Sequence, residues 1–370
     1  MRKITIKLVI LICFAVSFFW YYLFKDKESK DKKLKYPDRI QWSTNYTKSP
    51  IENDQIIVSF TVCDSRLSET INVVKSVLLF TKRPVKFVIF TDDTLRPQIL
   101  TTLVKWKSLI DNQFKFELHG ISFPESNRNV WLNLFRKCAA QRLFYPTLLD
   151  HLDALIYVDI DTLFLGPVEE LWQKFSEFDD NQISALAMEH ENPEVSWYLR
   201  FAKHPYYGKY GLNSGVMLMN LTRMRRFNWV DYVTPIMLKW KQNIPWGDQD
   251  IINILFHFHP SAVRVLPCRY NYRSDQCDYG DDCKSASSEG VFLLHGTRKN
   301  FYRHPVFMAI YQAVDEHQMG TDPAENVLIK MDKYITEAPS SNCRDRRYAF
   351  LKLPSETINT LYTNKHVLKP

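Results

Sequence analysis

An apolar run with two acidic residues in its middle constrains this chain more than any other stretch. It extends from Leu155 to Leu165 and carries Asp159 and Asp161. In a β-strand, residues two apart point to the same side, so both carboxylates would leave the strand on one face. Burying two like charges is costly unless a cation neutralises them. The run therefore predicts a strand that ends on a metal site with oxygen ligands, as Mg²⁺ or Mn²⁺ prefer; a solvated strand end is the alternative.

The amino-terminal residues predict a membrane anchor. Residues 8–24 contain no charged side chain, and at about 1.5 Å per residue they form a helix just long enough to cross a bilayer core of roughly 30 Å. A cleaved signal peptide is the alternative, but the segment carries aromatic residues from Phe18 to Tyr22, where cleavage requires small ones. We expect a cytoplasmic tail over residues 1–7, a transmembrane signal-anchor over 8–24 and a lumenal stem over 25–54.

The basic charge of the chain belongs to the ends of this anchor. The formal net charge is +7, but the first 35 residues hold nine Lys or Arg against three acidic residues. The remaining 335 residues are nearly balanced, with 39 basic and 38 acidic side chains. A folded part without a basic excess gives no support to nucleic-acid binding.

The cysteines indicate an oxidising lumen for the folded part. Six cysteines lie outside the anchor, and Cys268, Cys277 and Cys283 crowd one polar loop in a spacing that fits no zinc pattern. We expect disulfides there, with a connectivity that the sequence leaves open. Asn45 and Asn220 begin sequons for N-glycosylation, which agree with a lumenal location.

Alternating strand and helix patterns predict an α/β fold. The apolar patterns of residues 56–62 and 86–91 predict strands, and the segment between them repeats apolar residues at helical spacing. Strand, helix and strand in this order favour a parallel βαβ unit.

The catalytic domain is expected over residues 55–330, and residues 331–370 predict a tail with only weak helical structure. Further elements are predicted as helices over 95–110, from Trp131 to Leu143 and over 248–258, and as strands over 114–118, 183–187, 216–219 and 291–294.

Three further motifs hold polar residues near the ends of predicted elements. His295 ends an apolar strand, so its imidazole would supply a third metal ligand, and Arg298 and Lys299 would meet phosphate oxygens. Asn213-Ser214-Gly215 precedes a strand, and its glycine permits close approach of the backbone. Trp246-Gly247-Asp248-Gln249-Asp250 is a tight turn before an apolar helix. The alternatives are a strand-end histidine bonded to backbone, an ordinary turn and a helix N-cap.

Taken in their order along the chain, these elements resemble the retaining nucleotide-sugar glycosyltransferases of family 8, the glycogenin-like group. The resemblance covers residues 56–315. It implies a GT-A fold, which is a Rossmann-like mixed and mostly parallel sheet flanked by helices, here behind a single transmembrane helix. The matching elements are the opening strand, Val158-Asp159-Ile160-Asp161, Leu212-Asn213-Ser214-Gly215, Trp246-Gly247-Asp248-Gln249-Asp250 and Leu294-His295-Gly296.

Within this group the chain resembles the glucoside xylosyltransferases. That branch is type II and endomembrane, in the endoplasmic reticulum or Golgi, and transfers xylose from UDP-xylose to the 3-hydroxyl of glucose O-linked to serine on EGF-like repeats, as on Notch. The alternatives are a transferase of the same group that adds a second xylose or uses a UDP-hexose, a metal-dependent phosphohydrolase, and a catalytically silent, membrane-tethered sugar-binding protein. The segments that carry the likeness are 138–144, 204–209, 213–220 and 222–226.

The resemblance also implies a role for each polar residue. Asp159, Asp161 and His295 would bind Mn²⁺ or Mg²⁺. Gln249 and Asp248 would flank the anomeric carbon of the donor sugar, where either supports positive charge and Asp248 is the candidate nucleophile of a double displacement. The remaining donor contacts are implied for Thr61, Cys63 and Arg66 at the uridine, for Arg142, Asp159 and Asn213 along the sugar nucleotide, and for Arg298 or Lys299 at the phosphates.

Two positions depart from the glycogenin pattern. The acid expected three residues before Asp248 is Pro245, which removes a carboxylate that contacts the sugar and argues against a hexose donor. The lysine expected six residues after His295 is Phe301, so Arg298 or Lys299 would have to replace it at the phosphates.

Overall fold

The computed structural model describes residues 55–81, 83–110, 114–134 and 138–362. Within these ranges no helix combines the length and the apolar character that a membrane span needs. The predicted tail, anchor and stem over residues 1–54 lie outside the described residues, as does the sequon at Asn45.

Within the described ranges, nine strands form two sheets. They are β1 (Ile56–Val62), β2 (Val85–Thr91), β3 (Phe114–Gly120), β4 (Ala154–Val158), β5 (Thr162–Phe164), β6 (Ser184–Met188), β7 (Leu212–Asn220), β8 (Val263–Leu266) and β9 (Leu293–His295). The larger sheet has seven strands in the order β3-β2-β1-β4-β7-β6-β8, and β5 pairs with β9 in a separate ladder. Of the pairs in the larger sheet, only those of β7 with β4 and with β6 are antiparallel. The predicted mixed, mostly parallel α/β sheet is therefore confirmed.

Helices cover this sheet. Those predicted over 95–110 and 248–258 are confirmed within a residue at each end, as Arg96–Leu109 and Asp248–Phe258. The helices are α1 (Leu67–Phe80), α2 (Arg96–Leu109), α3 (Arg128–Leu132), α4 (Tyr145–Leu148), α5 (Val168–Gln173), α6 (Trp197–Phe201), α7 (Leu221–Arg226), α8 (Trp229–Trp240), α9 (Asp248–Phe258), α10 (Asp275–Asp278), α11 (Lys284–Glu289), α12 (Asn300–Arg303), α13 (Pro305–Glu316), α14 (Lys330–Glu337), α15 (Asn342–Asp345) and α16 (Arg347–Tyr362).

The strand order reverses between β1 and β4. The chain adds β2 and β3 on one side of β1, whereas β4 pairs in parallel with its other side. The carboxyl ends of β1 and β4 therefore lie side by side with a crevice above them. Open α/β sheets bind their ligands at such a switch point.

The acidic run from Leu155 to Leu165 is divided between the two sheets. Its first half is β4, its second half is β5, and Asp159 and Asp161 lie in the link between them. Thr162 is paired with His295 across the β5–β9 ladder, and the amide of Gly296 donates to the carbonyl oxygen of Asp161 at 2.7 Å. This ladder thus brings the distant histidine beside both acids.

The predicted long helix between Trp131 and Leu143 is wrong. The described residues there form the short α3 and a 3-10 helix over Ala139–Phe144. Cys138 has φ +60° and is bonded to Cys63, and a left-handed residue cannot continue a right-handed helix. The apolar residues at helical spacing therefore belong to two separate turns.

The carboxyl-terminal residues are helical and packed, so the expected weakly structured tail is wrong for residues 331–362. Helices α14 and α16 bury Met331, Ile335, Phe350 and Ile358 in one apolar cluster with α13. The scattered apolar residues lie on the inner faces of these helices, a pattern that polar outer faces conceal in the sequence. The folded domain extends through Tyr362, beyond the boundary predicted at residue 330.

The disulfides follow the expectation for the six cysteines outside the predicted anchor. They pair Cys63 with Cys138, Cys268 with Cys283 and Cys277 with Cys343, which supplies the connectivity that the sequence left open. The last of these ties α15 to α10.

The sequon at Asn220 is part of the folded structure. Its side chain is only 6% exposed, and its Oδ1 accepts a hydrogen bond from the backbone amide of Arg223 at 3.0 Å, which caps α7. A glycan on this side chain is incompatible with that arrangement.

Candidate active site

A cavity of about 540 Å³ opens at the carboxyl ends of β1 and β4, within the range of roughly 300–1,000 Å³ found for ligand pockets. Lys299 is the one predicted site residue that does not line it; the neighbouring Arg298 does, so Arg298 is the residue of that pair that faces the cavity. The predicted residues that line the cavity are Thr61, Cys63, Arg66, Arg142, Asp159, Asp161, Asn213, Asp248, Gln249, His295 and Arg298.

Three of these residues form a candidate site for a divalent cation. His295 Nε2 lies 3.8 Å from Asp159 Oδ2 and 3.5 Å from Asp161 Oδ1, and one ligand atom of each residue lies within 4.8 Å of the others. Ligands about 2.1 Å from an ion and at right angles lie roughly 3 Å apart, so small side-chain rotations bring these atoms to metal distance. The two carboxylates and the imidazole therefore fit Mn²⁺ or Mg²⁺.

Asn271 fixes the orientation of the His295 ring. The amide Nδ2 of Asn271 donates to Asn213 Oδ1 at 2.8 Å, so its Oδ1 must accept the proton of His295 Nδ1, also at 2.8 Å. This leaves the other ring nitrogen, Nε2, directed to the two acids, in the position that a metal ligand requires. Gly215 makes the arrangement possible, because a Cβ at that position would lie 2.0 Å from the imidazole Cε1.

We predict that Asn271→Ala lowers the affinity for Mn²⁺ by about 10–100-fold, the usual cost of losing a residue that orients a metal-ligating histidine. The Mn²⁺ concentration that gives half-maximal transfer measures this effect. Asn192→Ala is a suitable control, because Asn192 bonds to Asp282 outside the cavity. Equal Mn²⁺ dependence in Asn271→Ala and the wild type would contradict the role assigned to Asn271.

Asp161 is held as a carboxylate. Burial acts to raise its pKa, but the hydrogen bond to His295, the charge of His295 and the charge of Arg66 outweigh burial and hold the pKa at about 2. Arg66 Nη2 lies 3.9 Å from Asp161 Oδ2. The acid is thus ionised at neutral pH, which is the state that binds a cation.

Arg142 connects the metal acids to the turn before α9. Its Nε donates to Asp248 Oδ2 at 2.5 Å, and its Nη1 donates to Asp159 Oδ1 at 3.1 Å. Nη1 also donates to the carbonyl oxygen of Ser214 at 2.6 Å, and the guanidinium stacks 4.4 Å from the ring centre of Tyr157. Burial acts to lower the pKa of Arg142, but Asp248 and the neighbouring groups raise it, so the guanidinium stays charged.

Asp248 and Gln249 begin α9 and face the cavity in different ways. The Asp248 side chain pairs with Arg142 and is 2% exposed, so it is not the N-cap that the sequence also allowed. Gln249 is half-buried, and its Oε1 accepts from the backbone amide of Ser214 at 3.1 Å. Gln249 therefore presents a fixed amide to the cavity, whereas Asp248 is held in an ion pair.

The residues predicted for the uridine lie at the end of β1. The Thr61 hydroxyl is 2.8 Å from that of Tyr145. Cys63 lines the cavity as a disulfide with Cys138 and so offers no thiol. This bond joins the loop after β1 to the 3-10 helix that carries Arg142, so two walls of the cavity are covalently linked.

Sequence reasoning missed several cavity residues. Tyr157 donates to Asp159 Oδ1 at 3.0 Å, and its position two residues before Asp159 on a strand was a usable signal. Glu189 and Arg273 line the cavity and are 6% and 2% exposed. Burial raises the pKa of Glu189, against the charge of Arg273. Asn271 ends a short 3-10 helix over Cys268–Asn271 and Arg273 follows it, in a segment where no periodicity marks either residue.

The two residues that depart from the glycogenin pattern, Pro245 and Phe301, do not line the cavity. Phe301 is 3% exposed and stacks on Tyr311 with 4.9 Å between ring centres, so this position belongs to the apolar core and cannot hold a phosphate-binding lysine. Pro245 is exposed and does not line the cavity.

Comparisons with known proteins agree with the resemblance seen in the sequence. The model for glycosyl transferase family 8 matches residues 45–295. Glucoside xylosyltransferase 1 of Danio rerio is 41% identical over 316 residues, which cover 82% of this chain and 78% of that protein. Glucoside xylosyltransferase 1 of Homo sapiens is 39% identical over 326 residues, with 85% and 73% covered. Glucoside xylosyltransferase 2 of Xenopus laevis is 36% identical over 357 residues, with 93% and 84% covered.

Two solved structures share the fold at low sequence identity. The galactosyltransferase LgtC, in complex with donor and acceptor sugar analogues, matches with a TM-score of 0.53 at 18% identity and covers 70% of this chain and 95% of its own. The glycosyltransferase GlyE of Streptococcus pneumoniae TIGR4 matches with a TM-score of 0.53 at 15% identity, with 78% and 66% covered. These likenesses concern the fold alone, and they confirm the expected GT-A architecture.

Proposed function

Because the chain belongs to glycosyl transferase family 8, we propose that it transfers xylose from UDP-xylose to glucose already O-linked to serine on EGF-like repeats. The new linkage is α-1,3 and the anomeric configuration of xylose is retained. One observation carries the proposal: the Asp159–Asp161–His295 cluster shares a cavity with Arg142, Asp248 and Gln249. The relatives named glucoside xylosyltransferase, 36–41% identical to this chain, support the choice of donor and acceptor.

The acids and the histidine are assigned to the pyrophosphate end of the donor. Asp159, Asp161 and His295 would hold a divalent cation, for which Mn²⁺ is the first candidate and Mg²⁺ the second. When bound, such an ion stabilises the negative charge that grows on the leaving UDP. Arg298 reaches the same cavity from the turn after β9 and adds positive charge there.

The turn before α9 is assigned to the anomeric carbon. The bond from that carbon to the UDP oxygen breaks, the bond to the acceptor hydroxyl oxygen forms on the same face, and the departing phosphate takes the hydroxyl proton. Gln249 Oε1 supports the positive charge on the sugar. Asp248 is a poor nucleophile for a double displacement, because Arg142 binds its carboxylate at 2.5 Å and burial leaves it 2% exposed.

The three disulfides support a lumenal site of action, since such bonds persist in oxidising compartments. With the apolar segment over residues 8–24, this favours a single-pass type II protein of the endoplasmic reticulum or Golgi. The acceptors would then be secreted and cell-surface proteins that pass through the lumen.

A panel of UDP-sugars tests the proposal. The fragment from residue 25 onward is given each donor with Mn²⁺ and a glucosylated EGF-like repeat, with and without one xylose already attached, and mass spectrometry of the repeat reports transfer. We expect a gain of one pentose with UDP-xylose and little or none with UDP-glucose or UDP-galactose.

Each other outcome of this panel selects one of the alternatives. Transfer only from a UDP-hexose would overturn the donor and keep the reaction class. Transfer only to a repeat that already carries xylose would overturn the acceptor. Saturable binding of the glucosylated repeat with no transfer from any donor would favour the sugar-binding protein.

A further inference from the structure

A buried tyrosine hydroxyl lies directly behind the amide of Gln249. Tyr198, in α6, is 1% exposed and does not line the cavity, whereas Gln249 does. The Tyr198 hydroxyl donates to Asp250 Oδ1 at 2.7 Å, and it accepts from Gln249 Nε2 at 3.2 Å and from Asn253 Nδ2 at 3.0 Å. It therefore joins three residues of α9.

The direction of each hydrogen bond is determined by Asp250. A carboxylate only accepts, so the single Tyr198 proton is used on Asp250 and the phenolic oxygen can only accept from other partners. It then selects the NH₂ group of Gln249 rather than its oxygen. The Gln249 amide is thereby oriented with Nε2 towards the protein interior and Oε1 towards Ser214 on the cavity wall.

The Asp250 carboxylate is itself held from two sides. Its Oδ2 accepts from the backbone amide of Trp246 at 2.7 Å, and its Oδ1 lies 3.3 Å from His204 Nε2. His204 Nδ1 is 2.8 Å from the carbonyl oxygen of Pro205. Burial acts to lower the pKa of His204, but Asp250 outweighs burial and raises it.

A glycine, Gly211, provides the space that the Tyr198 ring needs. Gly211 has φ +71°, and a Cβ there would lie 2.3 Å from the Tyr198 ring, so the glycine allows the ring to reach the start of α9. The segment 204–209, which the site chemistry leaves without a role, supplies His204. His204 and Tyr198 thus both act on the side chain of Gln249, His204 through Asp250 and Tyr198 through its hydroxyl.

We propose that Tyr198 is a positioning residue for transfer: with Asp250 behind it, it fixes which end of the Gln249 amide faces the reacting sugar. This rests on the proposed function, in which Gln249 Oε1 stabilises the positive charge that develops at the anomeric carbon. Without the hydroxyl, the amide loses its partner for Nε2 and its two orientations become closer in energy. The NH₂ group, which repels positive charge, would then face the sugar in part of the population.

Tyr198→Phe tests the proposal. It keeps the ring and removes only the hydroxyl, and we expect kcat to fall by about 10²-fold, as misplacement of a catalytic group does. The KM for the donor and the affinity for UDP should stay within about threefold, because the pyrophosphate contacts are unchanged. Tyr311→Phe is the matched control: its hydroxyl bonds to Ser68 at 3.0 Å outside the cavity, and kcat should be unchanged.

A double-mutant cycle separates positioning from general support of the fold. In a Gln249→Ala background, Tyr198→Phe should reduce kcat by less than about twofold, since its effect acts through Gln249. An equal loss in both backgrounds, an unchanged kcat, or a loss of UDP binding together with kcat would each overturn the role of Tyr198. The wild type is assayed with every UDP-sugar. A wild type that transfers no sugar would defeat the proposed function. An active wild type together with an equally active Tyr198→Phe variant would defeat the positioning role alone.

Discussion

Asp161→Asn is expected to abolish metal-dependent transfer while the domain stays folded. Asp161 contributes one of the carboxylates that face His295 Nε2, at 3.5 Å, and an amide is a far weaker ligand than a carboxylate. A metal that stabilises the leaving group contributes several kcal/mol to the transition state, and each 1.36 kcal/mol is tenfold in rate. We therefore expect kcat/KM to fall by at least about 10³-fold.

Initial rates with UDP-xylose and Mn²⁺ measure the effect of Asp161→Asn, and thermal unfolding shows whether the variant is folded. Asp93→Asn is the control for the same chemical change, because Asp93 is exposed and does not line the cavity. Full activity in Asp161→Asn, at Mn²⁺ concentrations that saturate the wild type, would exclude the assigned metal site.

Arg142→Met is expected to reduce both stability and activity. The substitution keeps much of the side-chain volume but leaves Asp248 without the guanidinium that pairs with it at 2.5 Å. Removing one partner of a buried ion pair costs about 3–5 kcal/mol, because the other charge remains buried. The free energy of unfolding should fall by that amount. Transfer should be lost as well, because Asp159 loses its ion pair with the guanidinium of Arg142.

Urea unfolding of three variants measures this effect. Asp248→Asn combined with Arg142→Met should recover part of the lost stability without recovering transfer, since it removes the unpaired carboxylate. Arg200→Met, on an exposed arginine, should change the free energy of unfolding by less than about 1 kcal/mol. Arg142→Met with wild-type stability would contradict the buried ion pair.

The residues that sequence reasoning found are those at the ends of regular elements. Asp159 and Asp161 follow a strand whose apolar pattern is unambiguous, His295 ends another, and Gln249 begins an amphipathic helix. Period-2 and period-3.6 patterns reveal such elements, and parallel strand ends gather at one edge. The resemblance to a known family supplied their roles.

Apart from Tyr157, whose place two residues before Asp159 was a usable signal, the residues that it missed are held by long-range contacts that leave no local pattern. Asn271 orients His295 from the end of a short 3-10 helix, and Tyr198 reaches Gln249 only because Gly211 leaves space for its ring. The helix expected through Leu143 is broken at Cys138, which has a left-handed backbone and is bonded to Cys63 across 75 residues. Such contacts are properties of the folded chain, and a single sequence does not display them.

The central claim is that Asp159, Asp161 and His295 hold one divalent cation beside the donor. Electron paramagnetic resonance of free Mn²⁺, titrated with the fragment from residue 25 onward in the presence of UDP, tests it most directly. The wild type should bind one Mn²⁺ per chain, and the variant with all three residues changed to alanine should bind none while it stays folded. Equal binding by both proteins would contradict the claim.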